Sequence, residues 1–443
     1  MEKKKGARFW LALVIFSLIG QVAWIIENMY LNVFIYKMFG ASSEQISLMV
    51  GASSVMATIT TLLVGALSDK VGKRKIFISL GYILWGISIV AFAFVREDTI
   101  GALVGTGASA AAICITLVIV LDCIMTFFGS SANDACFNAW LTDATQDSGR
   151  GAAEGINAMM PLVAILVVFG GFMAFDLNES SSWTAIFIII GAVVLCIGVL
   201  GLFLIEEATP EAQENKNFFR NIIYGFRPSV VKSNPILYVT LIAFAVFGIS
   251  INIFMPYLIL YYDVSLGLSN YVLIMAPAVI LASVVTFFWG RLYDKWGFEK
   301  SLIPSLAMLS LGYIVLFFFT NVALVFIGSL LMMSGYLSGM AVFGAMVRDN
   351  TPEKKAGMFQ GLRIVGQVLI PGIVGPLISA AILRNAEMHV GDDGTEQFIP
   401  NANIFLGALM VIVVLAVVLF FLFRMIKKAK TPMLIQENDE QCK

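Results

Sequence analysis

The 443-residue sequence predicts an all-α integral membrane protein of twelve transmembrane helices in two pseudo-symmetric six-helix halves. Three observations carry that prediction. Composition is the first: 59% of residues are hydrophobic and 13% charged, where soluble domains run at about 45–50% and about 25%. The second is a series of apolar stretches, each long enough for the roughly 20 residues that cross a bilayer. The third is an internal repeat that joins the two halves of the chain. A net charge of −1 leaves no basic field to hold nucleic acid. Five cysteines and a single histidine, His389, give neither a disulfide framework nor metal-ligand spacing.

The expected spans are 9–38, 45–67, 76–95, 110–141, 152–175, 184–205, 236–262, 270–289, 301–319, 323–347, 357–383 and 403–424. The first, beginning at Phe9, is too long and lacks the small-residue cleavage site of a removable signal, so it reads as a retained helix. Spans one, four, seven and eleven are the long ones, which indicates tilt or extension beyond the hydrocarbon. The polar stretch 206–233 is a linker between an N-terminal half, 1–205, and a C-terminal half, 234–443. Within it, Phe218, Phe219, Ile222, Ile223 and Phe226 suggest an amphipathic surface helix. With both termini inside, all 28 lysines and arginines except Lys37, Arg96 and Arg384 fall on the cytoplasmic side. That asymmetry sets the orientation in a cell membrane.

Gly65-Ala-Leu-Ser-Asp-Lys-Val-Gly-Lys-Arg-Lys75 matches Gly290-Arg-Leu-Tyr-Asp-Lys-Trp-Gly-Phe-Glu-Lys300, 225 residues on, between the second and third helix of each half. Asp143 to Gly155 matches Asp349 to Gly361, 206 residues on, between the fourth and fifth. The extra chain of the first half is expected in the Gly-rich run Gly101–Ala112. Two homologous halves are the architecture of a carrier that rocks around a central binding site.

The loop Gly65-x-Leu-x-Asp69-Lys-x-Gly72-Lys73-Arg74 resembles the signature of the major facilitator superfamily, with a degenerate copy containing Asp294. Further stretches resemble its glycoside–pentoside–hexuronide:cation symporters and sucrose/proton carriers: Asn133-Asp134 through Asn138 to Asp143, Tyr224-Gly-Phe-Arg-Pro228, Phe254-Met-Pro-Tyr257, and Met358 to Arg363 with Leu369-Ile-Pro371. The resemblance implies a secondary transporter with no enzymatic activity and no cofactor beyond an ion gradient, carrying a small-molecule sugar or glycoside and functional as a monomer. It implies that Asp69, Gly72, Lys73 and Arg74, with Gly65, Asp294 and Arg363, form a cytoplasmic gate; Arg363 is equally explained by snorkelling. Sodium-coupled relatives carry two aspartates in helix 2, where this chain has Ser53, Ser54, Thr58, Thr60 and Thr61, so a proton is the expected coupling ion. The alternative is a proton-driven efflux carrier for small amphipathic compounds.

Charge inside hydrocarbon is the strongest functional signal in such a chain. The three deep acids, Glu27, Asp122 and Asp134, are the candidates for proton coupling. On helix 1, Gln21, Trp24, Glu27, Asn28 and Asn32 share an arc of about 140°. This mixture of amides, a carboxylate and an indole suits a pyranose ring, though it serves helix–helix hydrogen bonding as well. On helix 4, Asp122, Thr126, Gly129, Ser130, Asn133, Phe137 and Trp140 fall within about 100°, with Asp134 some 40° beyond. Asn252 and Tyr257, beside Pro256 in helix 7, complete the substrate candidates, and Pro256 and Pro371 are expected bends. Gly151/Gly155, Gly335/Gly339 and Gly357/Gly361 are expected packing seams.

Overall fold

The computed structural model of the chain describes residues 6–104, 108–145, 150–207, 224–351, 361–390 and 396–441. Among the described residues, eleven helices are long and apolar enough to cross a membrane. One of them, Val272–Phe318, is interrupted at Gly297, which stands at φ 73 and ψ −178 and splits it into 272–296 and 298–318. The fold therefore has the twelve spans of the sequence reading. We number them α1 (Ala7–Phe39), α2 (Ser43–Val71), α3 (Arg74–Phe92), α4 (108–144), α5 (Arg150–Phe172), α6 (Ser180–Leu204), α7 (Pro235–Ser265), α8 (272–296), α9 (298–318), α10 (Val322–Asp349), α11 (Gly361–Leu383) and α12 (Asn403–Gln441). A short helix, Glu97–Val104, fills part of the extra chain expected between α3 and α4. The amphipathic stretch from Phe218 to Ile223 and the start of the eleventh span at 357–360 lie outside the described residues.

Local chemistry explains the helix ends. Ser42 opens α2 with a capping box, its hydroxyl accepting from the Gln45 amide while the Gln45 side chain accepts from the Ser42 amide. Asn321 caps α10 by accepting from the Ala323 amide. Four glycines, and no other described residue, have positive φ: Gly40, Gly72, Gly267 and Gly297. They fall in pairs. Gly72 and Gly297 are 225 residues apart in the matching loops, and Gly40 and Gly267 close α1 and α7. The repeat read in the sequence is thus also a repeat of backbone conformation, held where only glycine turns left without strain.

Four helices depart from the α ladder. π turns occupy Ile26–Tyr30 in α1, Ser130–Phe137 in α4, Tyr261–Ser265 in α7 and Val365–Leu369 in α11. Pro256 sits in a 3₁₀ turn, Met255–Tyr257, whereas Pro371 is the second residue of the α-helical stretch Ile370–Leu383 that resumes after the α11 π turn, so the irregularity lies just before it.

Lipid gives no hydrophobic drive between helices, so close approach has to come from small residues. A Cβ on Gly86 of α3 would lie 2.5 Å from the Leu195 amide of α6, and one on Gly312 of α9 would lie 2.4 Å from the Met332 amide of α10. Gly335 and Gly339 form such a seam, against Leu309 and the Phe247 ring. Gly151 and Gly155 do not: among the described residues nothing lies within 4 Å of a Cβ built on either. Gly357 lies outside the described residues.

The chain packs as two compact units. One comprises Met1–Phe218, Met255–Ala276 and Ser379–Asn401; the other comprises Phe219–Phe254, Pro277–Ile378 and Ala402–Lys443. The first unit includes an antiparallel hairpin, Met388–Val390 with Glu396–Phe398, pairing Met388 with Phe398.

Candidate functional site

The first unit brings the three deep acids onto neighbouring helices. The π turn of α1 carries Glu27, which is 6% exposed, against α4, where Asp122 is 2% exposed. The Thr126 hydroxyl lies 2.8 Å from both Glu27 Oε1 and the Asp122 main-chain oxygen. Ser53 of α2 reaches the Asp122 carboxyl. Glu27 Oε2 and Asp122 Oδ1 are buried without a hydrogen-bond partner. Asp134, one of the eight residues in the α4 π turn, accepts from the Ser130 hydroxyl at 3.0 Å and is only half-buried. Both aspartates are close enough to Glu27 to act on it electrostatically.

Beside the acids lies an aromatic and amide cluster. Trp24 of α1 packs on Trp85 of α3, ring centroids 5.1 Å apart. Gly129 of α4 makes room for both, since a Cβ there would sit 2.7 Å from Trp85 Cε2 and 3.1 Å from Trp24 Cη2. Asn133 accepts from Trp24 Nε1 at 3.3 Å and donates to the Tyr82 hydroxyl at 2.7 Å, which donates in turn to the Phe16 carbonyl. Gly20 opens the space for that junction. Trp85 Nε1 is buried with no acceptor. The sequence reading did not single out Tyr82 or Trp85. The available signal was Gly81-Tyr82-x-x-Trp85-Gly86, two polar-tipped aromatics one turn apart between glycines on an otherwise apolar helix.

The other predicted residues are placed as follows. Asn28 is exposed and donates to the Trp24 carbonyl, half-buried Gln21 lies on the same helix, and buried Asn32 donates to the Asn28 carbonyl with its own Oδ1 unpartnered. Tyr257 is fully buried and donates to the Ser43 carbonyl at 3.0 Å. Asn252, in the second unit, donates to the Gly248 carbonyl.

In the loop signature, Gly72 is the left-handed cap of α2, and Gly65 lies 3.8 Å, from its built Cβ, to Ala135. The Asp69 side chain lies outside the described residues. Lys73 is exposed, whereas Arg74 is 4% exposed and turns into its own half, pairing with Asp143 at the end of α4 at 3.1 Å and bonding Ser68. The second half repeats this arrangement with other chemistry. Tyr293, which matches Ser68 in the repeat, donates to Asp349, the match of Asp143, at 2.6 Å. Asp294 is exposed, and Arg363 is exposed and donates to Gln367 at 3.1 Å.

The geometry is that of a membrane carrier: buried acids and polar aromatics on helices that bend at π turns. Comparison with known proteins agrees. A stretch of 140 residues is 29% identical to the uncharacterized MFS-type transporter YuxJ of Bacillus subtilis (strain 168), covering 30% of this chain and 35% of that relative. The chain resembles the crystal structure of the nucleoside transporter NupG (D323A mutant) with a TM-score of 0.71 at 14% identity, over 93% of this chain and 99% of that one. It also resembles a bacterial homolog of the human lysosomal transporter Spinster, in an inward-facing and occupied conformation, with a TM-score of 0.69 at 16% identity, over 95% and 98%. At these identities the likeness shows the fold. The sequence profile of the Major Facilitator Superfamily matches residues 9–340 and 273–438, nearly the whole chain, and the protein belongs to that superfamily of non-enzymatic transport proteins.

Proposed function

We propose that this transporter is a proton-coupled symporter that carries a sugar or glycoside into the cell, with both termini cytoplasmic. The observation that carries the reading is the Glu27–Thr126–Asp122 chain. A hydroxyl has one hydrogen, yet Thr126 faces two acceptors at 2.8 Å. A proton on Glu27 resolves the conflict, because Glu27 then donates to Thr126 and Thr126 donates to the Asp122 carbonyl. Two buried acids with unpartnered oxygens and no lysine or arginine beside them among the described residues are costly to hold as anions inside a bilayer. A proton is the smallest charge that relieves them.

Trp24 and Trp85 offer apolar faces, and Asn28, Asn133 and Asp134 offer hydrogen-bonding groups, the pairing that binds a sugar ring. NupG is a nucleoside transporter by its title, and a nucleoside is itself a glycoside, which supports a polar, ring-bearing solute. The test is uptake of labelled mono- and disaccharides and nucleosides into proteoliposomes under an imposed proton or sodium gradient. Accumulation driven by protons alone is the expected result. A strict sodium requirement overturns the coupling, and movement of amphipathic compounds alone overturns the substrate class in favour of export.

A further inference from the structure

At the C-terminal end of α1 the first unit holds a cavity of about 190 Å³, and none of the site residues described above lines it. Three segments wall it: the last turns of α1, the turn from α3 into the short helix Glu97–Val104, and the first residue of α6. Phe34 and Phe39, 3% and 5% exposed, form an apolar wall with their rings 5.2 Å apart. Trp183 of α6 packs on Phe34 at 5.2 Å and is pinned by its own bond to the Leu177 carbonyl at 2.9 Å. The polar wall is Arg96, Glu97, Asp98 and Ser180. Asp98 is held by the Thr99 amide at 2.7 Å and accepts from Arg96 Nη2 at 3.1 Å. That contact uses one of the five donors on the guanidinium. Among the described residues Arg96 has no second side-chain acceptor, and its Nε is shielded from water without one.

We propose that this cavity is an entry site for a single sugar ring, where solute docks before it reaches the buried acids. The inference rests on the sugar-transport reading and on the orientation that puts this end of α1 outside the cell. The lining selects the chemical class. An anion would meet the Glu97 and Asp98 carboxylates, and a cation would meet the Arg96 guanidinium. A neutral polyol suits both, because each hydroxyl can accept from the guanidinium and donate to a carboxylate. The C–H face of the ring then covers Phe34 and Phe39. Size limits the ligand further. Drug-sized molecules occupy about 300–1,000 Å³, so a cavity of about 190 Å³ takes one ring and not two. The bonds that fix Asp98 and Trp183 preorganise both walls, which lowers the ordering cost of binding.

The test is hydrogen–deuterium exchange on the full chain in nanodiscs, with D-glucose, D-ribose, sucrose or L-leucine added. A single-ring sugar should slow exchange in peptides covering 93–104 and 178–186, and sucrose should not. Arg96→Gln should raise the sugar concentration for half protection there about 10- to 100-fold, the worth of a hydrogen bond to a charged group. Protection around Glu27 and Asp122 should be retained in that variant. If Arg96→Gln fails to fold, Arg96→Lys, which keeps the charge and loses the planar donors, is read in the same way. Sugar protection confined to the buried acids overturns the entry site and leaves the transport reading intact. Protection at the entry peptides alone leaves the site standing and overturns the sugar as the transported solute. Protection by L-leucine but by no sugar, or equal protection by sucrose, overturns the entry site, and protection nowhere overturns it together with the sugar reading.

Discussion

Replacing Glu27 by glutamine separates proton coupling from solute binding. Glutamine mimics the protonated acid: its amide group, turned to the Thr126 hydroxyl that lies 2.8 Å from Oε1, donates as the acid does, and its carbonyl takes the place of Oε2, an atom without a partner. Volume is conserved and a neutral amide replaces a neutral acid, so stability should change by no more than about 1 kcal/mol. Transport should respond far more. A membrane potential of 100 mV is worth about 2.3 kcal/mol per charge, which lets a one-proton symporter of a neutral solute accumulate it about 50-fold. Without a titratable group at 27, accumulation should collapse to equilibration, while counterflow of preloaded solute, which needs no net proton movement, should persist. The assay is paired uptake and counterflow in proteoliposomes, with a melting curve as control. Accumulation by Glu27→Gln at the wild-type level would refute the argument. Loss of counterflow in a well-folded variant would instead assign Glu27 to the solute.

Thr126→Val should uncouple the two acids and displace the pH profile of uptake, whereas Thr126→Ser should retain it; identical profiles for all three proteins would remove the hydroxyl from the pathway. Arg74→Ala removes the ion pair to Asp143 and the Ser68 contact, so it should cost about 1.5–3 kcal/mol, with Arg74→Lys recovering only part because one ammonium cannot span both partners. An unshifted melting temperature would show the pair to be incidental. Gly129→Ala drives a methyl into Trp85 and Trp24 and should cost about 1–3 kcal/mol and weaken solute binding, read by tryptophan fluorescence; an alanine variant that binds as wild type would take the indole pair out of the site.

The features legible in the sequence were those in which a residue contradicts its surroundings. Glu27, Asp122 and Asp134 are acids in apolar runs, and Thr126 joins the first of them to the turn that carries the second. The polar interval from Gly290 to Lys300 reads as a loop; although it is helical on both sides, Gly297 alone makes the break. The loop signature was legible as a motif, but Arg74 pairing with Asp143 was not, because charges at helix ends are ordinary and nothing in their spacing tells one partner from another. Tyr82 and Trp85 were hidden for the opposite reason, since aromatic residues on an apolar helix look like packing. The hairpin at Met388–Phe398 was missed because two three-residue strands carry too little alternation to register. Lys37 was visible only as an exception to the charge asymmetry, and its ion pair with Asp263 appears only in the structure.

The π turns connect these observations. They fall on α1, α4, α7 and α11, the same four spans whose apolar stretches are unusually long, and none is found in another spanning helix among the described residues. A π turn spends an extra residue and spoils the hydrogen-bond ladder where lipid supplies no replacement partner, so it survives only where neighbouring groups compensate and the re-aimed side chain matters. Each of the four contains a polar residue with a specific partner. Glu27 has Thr126, Asp134 has Ser130, Asp263 has Lys37, and Gln367 has Arg363. This is also why a strict 100° wheel ceases to be a guide on α4 beyond Gly129: the eight residues Ser130–Phe137 are wound on a different pitch. On α1 the turn carries Glu27 itself and lies between Trp24 and Lys37, so it sets the rotational phase between the half of the helix that packs on Trp85 and the half that pairs with Asp263.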